Sequence, residues 1–322
     1  MKVLHVVPGL NEPRNGIAGA AKDIARLQGA DIVDTCEFLS PSASSAFDRD
    51  LSAYGEIWVH SNWRLSTLLA CRKVIGSGVP LVRMPHANLD PLRYRSKWYK
   101  KVLAAWYERR LYRKTVRVVV TCEAEREWCE QWGVKGPFET LDLKRFYRLD
   151  RPVGFARRTG GEPVRVLYLG RRHPLKGVAC LERAVREVND GRRARNGEAG
   201  ADDAVLLHVV SDRFGEALEA EWRWCDVLCL PTLSENFGRV VGEALEHGRF
   251  VVTTDGAPAW KTHFERHPDA GLYLNGYRAG SEKVRVRMLV EALTRLVGPE
   301  RTGCSRGGAG NEGAGQRRKQ DG

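Results

Sequence analysis

Short apolar runs recur along the chain, and segments with apolar residues at helical spacing separate them. The runs are Lys2–Val7, Ile57–His60, Pro80–Met84, Val116–Thr121, Phe138–Leu143, Val164–Gly170, Val205–Val210, Val227–Leu230 and Phe250–Thr253. Apolar runs of this length without strict alternation read as buried strands of a parallel sheet. The spacing predicts helices over Ala18–Leu27, Leu65–Ile75, Lys97–Tyr112, Cys122–Trp132, Leu181–Val188, Gly215–Trp224, Val240–Leu245 and Val284–Leu296. Gly248 follows the last turn of the Val240 helix, in the usual C-terminal stop position. In Lys97–Tyr112 the residues Val102, Leu103, Trp106 and Leu111 are expected to turn inward. Strand and helix in alternation predict an α/β fold with parallel sheets and Rossmann-like units. Asp150–Pro163 is rich in Gly, Arg and Pro and reads as a linker. This divides the chain into a first domain at 1–149, the linker at 150–163, a second domain at 164–298 and a tail at 299–322. The tail is glycine-rich, charged and almost free of apolar residues, so it is expected to be disordered. Asn189–Asp203 has the composition of a surface loop.

Composition narrows the function classes. The chain has 322 residues, of which 43% are hydrophobic, enough for two ordinary cores. Its net charge of +12 invites anionic partners without choosing among them. No helix-turn-helix, zinc-finger or RNP-type signature is present, and nucleic acid is not an expected partner. The eight cysteines are scattered without paired zinc spacing. They read as reduced thiols of a cytoplasmic protein. No apolar stretch approaches the roughly 20 residues that span a bilayer. Met1-Lys2 leads into a run too short for a secretory signal.

The candidate chemistry concentrates at strand ends. Between Val227–Leu230 and the Val240 helix, Ser234, Glu235 and Asn236 are expected to supply capping side chains. Glu235 would lie at the helix mouth and Glu243 about two turns inside. A helix N-terminus favours an anion such as a diphosphate. Two carboxylates beside it can accept hydrogen bonds from vicinal hydroxyls. Taken alone, Glu235 also reads as a helix-start acid and Glu243 as a solvated one. After the Val164 strand, Arg171 and Lys176 flank a helix start, where both can neutralise a diphosphate. The first strand is followed by Gly9, Gly16 and Gly19 without the G-x-G-x-x-G spacing, which disfavours a dehydrogenase. His86 lies just past the Pro80 strand, where ligands sit in open α/β sheets.

Pro231, Thr232, Glu235, Phe237, Gly238, Glu243, Ala244, Leu245 and Gly248 together fit P-[ST]-x-x-E-x-F-G-x-x-x-x-E-A-L-x-x-G. This resembles the donor-site signature of glycosyltransferase family 4, retaining enzymes with two facing Rossmann-like domains of the GT-B type. Gly170, Arg171, Lys176 and Gly177 resemble the family's G-R-x-x-x-x-K-G segment. His86 to Pro91 resembles H-G-M-L-D-P, with Ala87 and Asn88 in place of Gly and Met. Thr121 to Glu125 resembles T-S-E-x-E, and Asp255 to Trp260 resembles G-x-P-W with Ala259 inserted. Glu139 to Asp142 replaces the usual Asn-Gly-Val-Asp turn. Relatives carry a further strand and helix after the basic loop, so the second domain is expected to be shortened by about one β/α unit. Ser211–Arg213 would then form the base-side loop.

The resemblance implies a glycosyltransferase moving a sugar from a nucleotide-diphosphate-sugar to a carbohydrate or lipid-linked glycan acceptor in cell-envelope polysaccharide synthesis. The catalytic residues it implies are Glu235, Arg171, Lys176 and His86. The donor-binding residues are Glu243, Gly238, Phe237, Asn236 and Gly16. No metal and no cofactor apart from the donor are expected. The basic and aromatic stretch Arg93–Arg117 suits either an anionic membrane surface or a solvated helix face over core aromatics. Lipid-linked acceptors of bacterial relatives favour the first, at the inner face of the cytoplasmic membrane. The alternative function is a non-catalytic subunit or sugar-nucleotide sensor.

Overall fold

The computed structural model describes residues 1–297 except 13–14, 41–49, 96–97, 154, 156–161 and 197–202. Much of the expected linker and the whole 299–322 tail therefore lie outside the described residues, as does the side chain of Leu103. The first sheet holds β1 (Val3–Val7), β2 (Asp31–Asp34), β3 (Glu56–His60), β4 (Leu81–Met84), β5 (Arg117–Val120) and β6 (Phe138–Thr140). The second holds β7 (Val164–Leu169), β8 (Val205–Val210), β9 (Val227–Leu230), β10 (Phe250–Thr254) and β11 (Gly271–Leu274). The helices are α1 (Gly16–Gln28), α2 (Thr35–Leu39), α3 (Leu65–Ser77), α4 (Pro91–Arg95), α5 (Trp98–Tyr112) and α6 (Glu123–Gln131) in the first half. Those of the second half are α7 (Val178–Asn196), α8 (Glu216–Trp224), α9 (Arg239–Glu246), α10 (Lys261–Arg266) and α11 (Glu282–Val297).

The strand orders are β2-β1-β3-β4-β5-β6 and β11-β10-β9-β7-β8. Every pairing is parallel. Counted from its own first strand, each sheet begins with the same order, 2-1-3-4-5. The chain reverses its direction of travel between β1 and β3 and again between β7 and β9. Ligands of open α/β sheets sit at the carboxyl ends of strands at such switch points. The second sheet has five strands against six in the first. One apolar cluster built on the second sheet continues through Leu143, Trp58 and Met84 into the first lobe.

Several expectations are corrected. Helix α7 runs to Asn196, through the first half of the expected loop. Asn189 anchors it by both accepting from and donating to the Val205 backbone, each at 3.0 Å. Arg192, Arg193, Ala194 and Arg195 beyond it are strong helix formers and carry the helix past Gly191. Val102 and Trp106 of α5 are 49% and 68% exposed rather than turned inward. The buried stripe is Ala105, Glu108, Leu111 and Tyr112. Glu108 earns this place by pairing with the fully buried Arg83 at 3.1 Å. The Phe138 strand stops at Thr140, and Leu143–Phe146 forms a short 3-10 turn. β2, α2, α4, α10 and β11 are not among the expected elements, being too short to show a clear period.

Candidate active site

The carboxyl ends of β7 and β9 face those of β1, β3 and β4, and the candidate residues gather there. After β7, His173 caps a 3-10 turn over Pro174–Lys176. Gly177 closes it at φ 67°, and a Cβ there would overlap the Pro231 carbonyl oxygen. Glycine is required on both counts. The turn delivers Lys176 to Glu235, and Lys176 Nζ and Glu235 Oε2 are in direct contact. Burial pushes the Glu235 carboxyl up, but the charges of Lys176 and Arg93 more than offset it, so its pKa lies below the ordinary range. Arg171 does not join them. Its side chain is exposed, and only its carbonyl is engaged, accepting from Tyr168 Oη at 2.9 Å.

The mouth of α9 is built differently from expectation. Ser234, Glu235 and Asn236 do not cap it. The N-cap is Gly238, in a left-handed conformation at φ 74°, with no side-chain cap. Its missing Cβ would crowd Glu235 Cγ at 3.2 Å. The Val241 N–H bonds the Gly238 carbonyl at 2.9 Å, and the N–H groups of Arg239 and Val240 stay available for an anion. Glu243 is the fifth residue of α9, little more than one turn inside. Burial pushes its carboxyl up, with Arg239 pulling the other way, and it bonds no described residue. Phe237 is 2% exposed, packed between Tyr147 and Trp260, and contributes shape from behind rather than a contact surface. Gly16 begins α1 behind its cap Asn15 and faces open space. Gly19 is the close-approach position of this helix, because a Cβ there would overlap the Arg239 guanidinium.

From the first lobe, His86 reaches Asn236 Nδ2 through Nδ1 at 2.9 Å. His86 and Ala87 are left-handed at φ 53° and 55°, and Ser61 and Trp63 at the end of β3 are both at 72°. Four non-glycine residues in the left-handed region thus gather at two adjacent strand ends, and strain of this kind clusters at active sites and ligand clamps. Glu125 holds the His86 loop in place. It accepts from Ala87 N at 2.6 Å and from Thr121 N at 2.7 Å. Burial raises its pKa, and those N–H donors only partly offset the rise.

A second set of contacts joins the lobes. Asp90, fully buried, takes Arg278 on both oxygens at 2.8 and 2.5 Å and Ser234 Oγ at 2.5 Å. Arg93 donates to Ser234 Oγ at 2.9 Å. Arg239 pairs with Asp23 of α1 at 3.1 Å. Beside it lies a cavity of about 10 Å³ lined by Tyr147, Phe237 and Arg239, too small for a nucleotide. These contacts join the two lobes across the cleft.

Residues 18–141 match the family model described as a glycosyl transferase 4-like domain, and residues 163–297 the one described as glycosyl transferases group 1. The chain belongs to the family 4-like glycosyltransferases. Its fold is shared by solved structures. A sucrose-phosphate synthase from Thermosynechococcus elongatus superposes with a TM-score of 0.58 at 14% identity, over 92% of this chain and 93% of that one. Anabaena HepE in complex with UDP and glucose gives 0.54 at 16%, over 92% and 94%. The lipopolysaccharide outer core galactosyltransferase WaaB gives 0.55 at 12%, over 92% of each chain. At these identities the likeness is one of fold. No curated protein matches the sequence.

In this glycosyltransferase several site residues were invisible to motif reading. Arg239 occupies a position the donor signature leaves open. Arg93 and Arg278 sit in a chain with many arginines, and only the buried Asp90 and Ser234 that receive them set them apart. Among the described residues no helix is long and apolar enough to cross a membrane, and none of their His, Cys, Asp and Glu side chains cluster to hold a metal ion.

Proposed function

We propose that this glycosyltransferase moves a sugar from a nucleotide-diphosphate-sugar to a glycan acceptor with retention of configuration. The observation that carries the reading is the Lys176–Glu235 contact at the β7/β9 switch point, below the uncapped mouth of α9. Lys176 and the α9 N–H groups would receive the diphosphate, with Arg171 swinging in from solvent. Glu235, freed from Lys176, would accept from sugar hydroxyls, and the unpartnered Glu243 from the ribose. As the bond between the anomeric carbon and the diphosphate oxygen breaks, the growing negative charge is offset by Lys176 and the helix terminus. The acceptor oxygen bonds the same carbon on the same face, and its proton passes to the departing diphosphate. This scheme uses no resident metal.

The exposed Val102 and Trp106 of α5, beside exposed Arg109, Arg110, Arg113 and Lys114, support docking on an anionic membrane surface and a lipid-linked acceptor. With that acceptor the enzyme would work at the cytoplasmic face in cell-envelope polysaccharide synthesis. The test is a thermal-shift screen of UDP, GDP, ADP and their sugars, followed by proton NMR of the product anomer. A ligand that binds only the folded chain raises its melting temperature. Retention is expected. An inverted product, or no shift with any nucleotide, would contradict the reading.

A further inference from the structure

Three buried histidines lie behind the cleft in a single file. His5 Nε2 meets Gln28 Oε1 at 2.7 Å, and His5 Nδ1 meets His60 Nε2 at 2.8 Å. His60 Nδ1 meets His86 Nε2 at 2.7 Å, and His86 Nδ1 meets Asn236 Nδ2 at 2.9 Å. The file starts on the exposed end of α1, crosses β1 and β3, and ends on the residue next to Glu235. All three side chains are fully buried. Adjacent rings lie 5.1 and 5.0 Å apart.

Each nitrogen–nitrogen contact has room for one proton, and a neutral imidazole has one donor and one acceptor. With the Gln28 oxygen turned to His5, as placed here, His5 carries its proton on Nε2. Its Nδ1 then accepts from His60 Nε2–H, and His60 Nδ1 accepts from His86 Nε2–H. That leaves His86 Nδ1 as an acceptor for the Asn236 amide. Every contact is satisfied with all three rings in one tautomer. An imidazolium anywhere in the file would set two N–H groups against each other. Burial holds the groups neutral, with Glu56 facing His5, Arg83 facing His60 and Arg93 facing His86.

We propose that His5, His60 and His86 form a polarised, uncharged hydrogen-bond chain that fixes the Asn236 amide, making His5 and His60 positioning residues for the donor sugar. Thr121 Oγ1 stands 3.3 Å from the Asn236 carbonyl but gives its one proton to Glu125 Oε2 at 2.8 Å, so the amide is fixed from the His86 end. Its second N–H has no partner among the described residues and is left for a sugar hydroxyl beside Glu235. Apolar side chains would fill the same space without three buried polar rings, so the file serves orientation rather than packing.

The sugar role rests on the donor reading above, so the test has two arms. In the first, the full chain is labelled with 15N-histidine and long-range proton–nitrogen spectra are recorded from pH 5.5 to 8. Three rings should show the Nε2–H pattern and not titrate, and in Asn236→Ala they should keep it. A proton on Nδ1, or an imidazolium, in any of the three at pH 7 overturns the chain, and no donor is needed to see it. In the second arm, UDP-glucose turnover and UDP affinity are measured for His60→Phe, Asn236→Ala and the double variant. Each single change should lower kcat about tenfold with UDP affinity unchanged, and the double should be no worse than either. Additive losses, or weakened UDP binding in His60→Phe, overturn the positioning role. An unmodified protein that turns over none of the UDP, GDP and ADP sugars removes that role while leaving the first arm intact.

Discussion

Acidification should destabilise this protein steeply, because its buried histidines refuse a proton that the unfolded chain accepts. Burial holds His5 at about 4 and His86 at about 3, against an ordinary 6.5, and holds His60 well below its ordinary value. The folded pKa is depressed, so the stability tied to these groups is complete above pH 6.5 and is lost as pH falls towards the folded values. The slope for each is about 1.4 kcal/mol per pH unit within that window. Between pH 7.5 and 5.5 each should lose about 1.3 kcal/mol, and the three together about 4 kcal/mol. Glu125 and Glu243, whose carboxyls are raised by burial, act with the opposite sign, since their protonation favours the folded state as pH falls. Comparing the protein with His5→Gln cancels them. Urea denaturation followed by tryptophan fluorescence at both pH values measures the gap. The stability difference between the two proteins should narrow by about 1.3 kcal/mol at pH 5.5. A gap equal at both pH values would refute the reasoning, because His5 would then be charged in the fold or exposed to water.

Three other substitutions probe the architecture. Gly177→Ala places a Cβ against the Pro231 carbonyl at a positive φ, and should cost about 2 kcal/mol or more in stability while displacing Lys176 from Glu235; a melting scan unchanged from the parent would contradict this. Ala87→Gly relieves a left-handed alanine at φ 55° and should stabilise by about 0.5–1 kcal/mol after the greater freedom of the unfolded chain is deducted. A loss of stability in that variant would mean that the strain is not real. Arg278→Ala strands the buried Asp90 carboxylate, and chemical denaturation should show a loss of about 3 kcal/mol, partly recovered by adding Asp90→Asn. A loss under about 0.5 kcal/mol, the scale of an exposed pair, would place Asp90 in contact with water.

Nine of the eleven sheet strands and the donor motif were legible because both are local. Val227–Leu230 is an apolar run, and Glu235, Gly238 and Glu243 keep fixed spacings that a short stretch of chain can display. Lys176 was legible for the same reason, and the fold brings it to Glu235 as its spacing required. What was not legible depends on partners far away in sequence. Asp90 and Arg278 are separated by most of the chain, and nothing near either marks the pair. His5 and His60 sit in runs that read as plain strands, and only the β1–β3 pairing aligns them. The inward turn expected of Val102 and Trp106 failed because α5 has bases and aromatics on several faces, so periodicity gave no clear stripe. Glu108 on the buried face is explained by Arg83, which a helix-by-helix reading cannot supply. The capping expected of Ser234 failed because that side chain is bonded to Asp90 in the other lobe.

A donor site built on Lys176 and Glu235 makes the rate of sugar transfer depend on both side chains. This dependence is tested most directly by the rate of nucleoside diphosphate release from the donor chosen by the thermal-shift screen, measured for the parent, Lys176→Ala and Glu235→Gln. The parent should turn over, and each variant should stay folded and lose about a hundredfold or more in rate, the scale of removing one preorganised charge from a transition state. A parent that binds the donor without turnover, or a Lys176→Ala protein with full activity, would contradict the account.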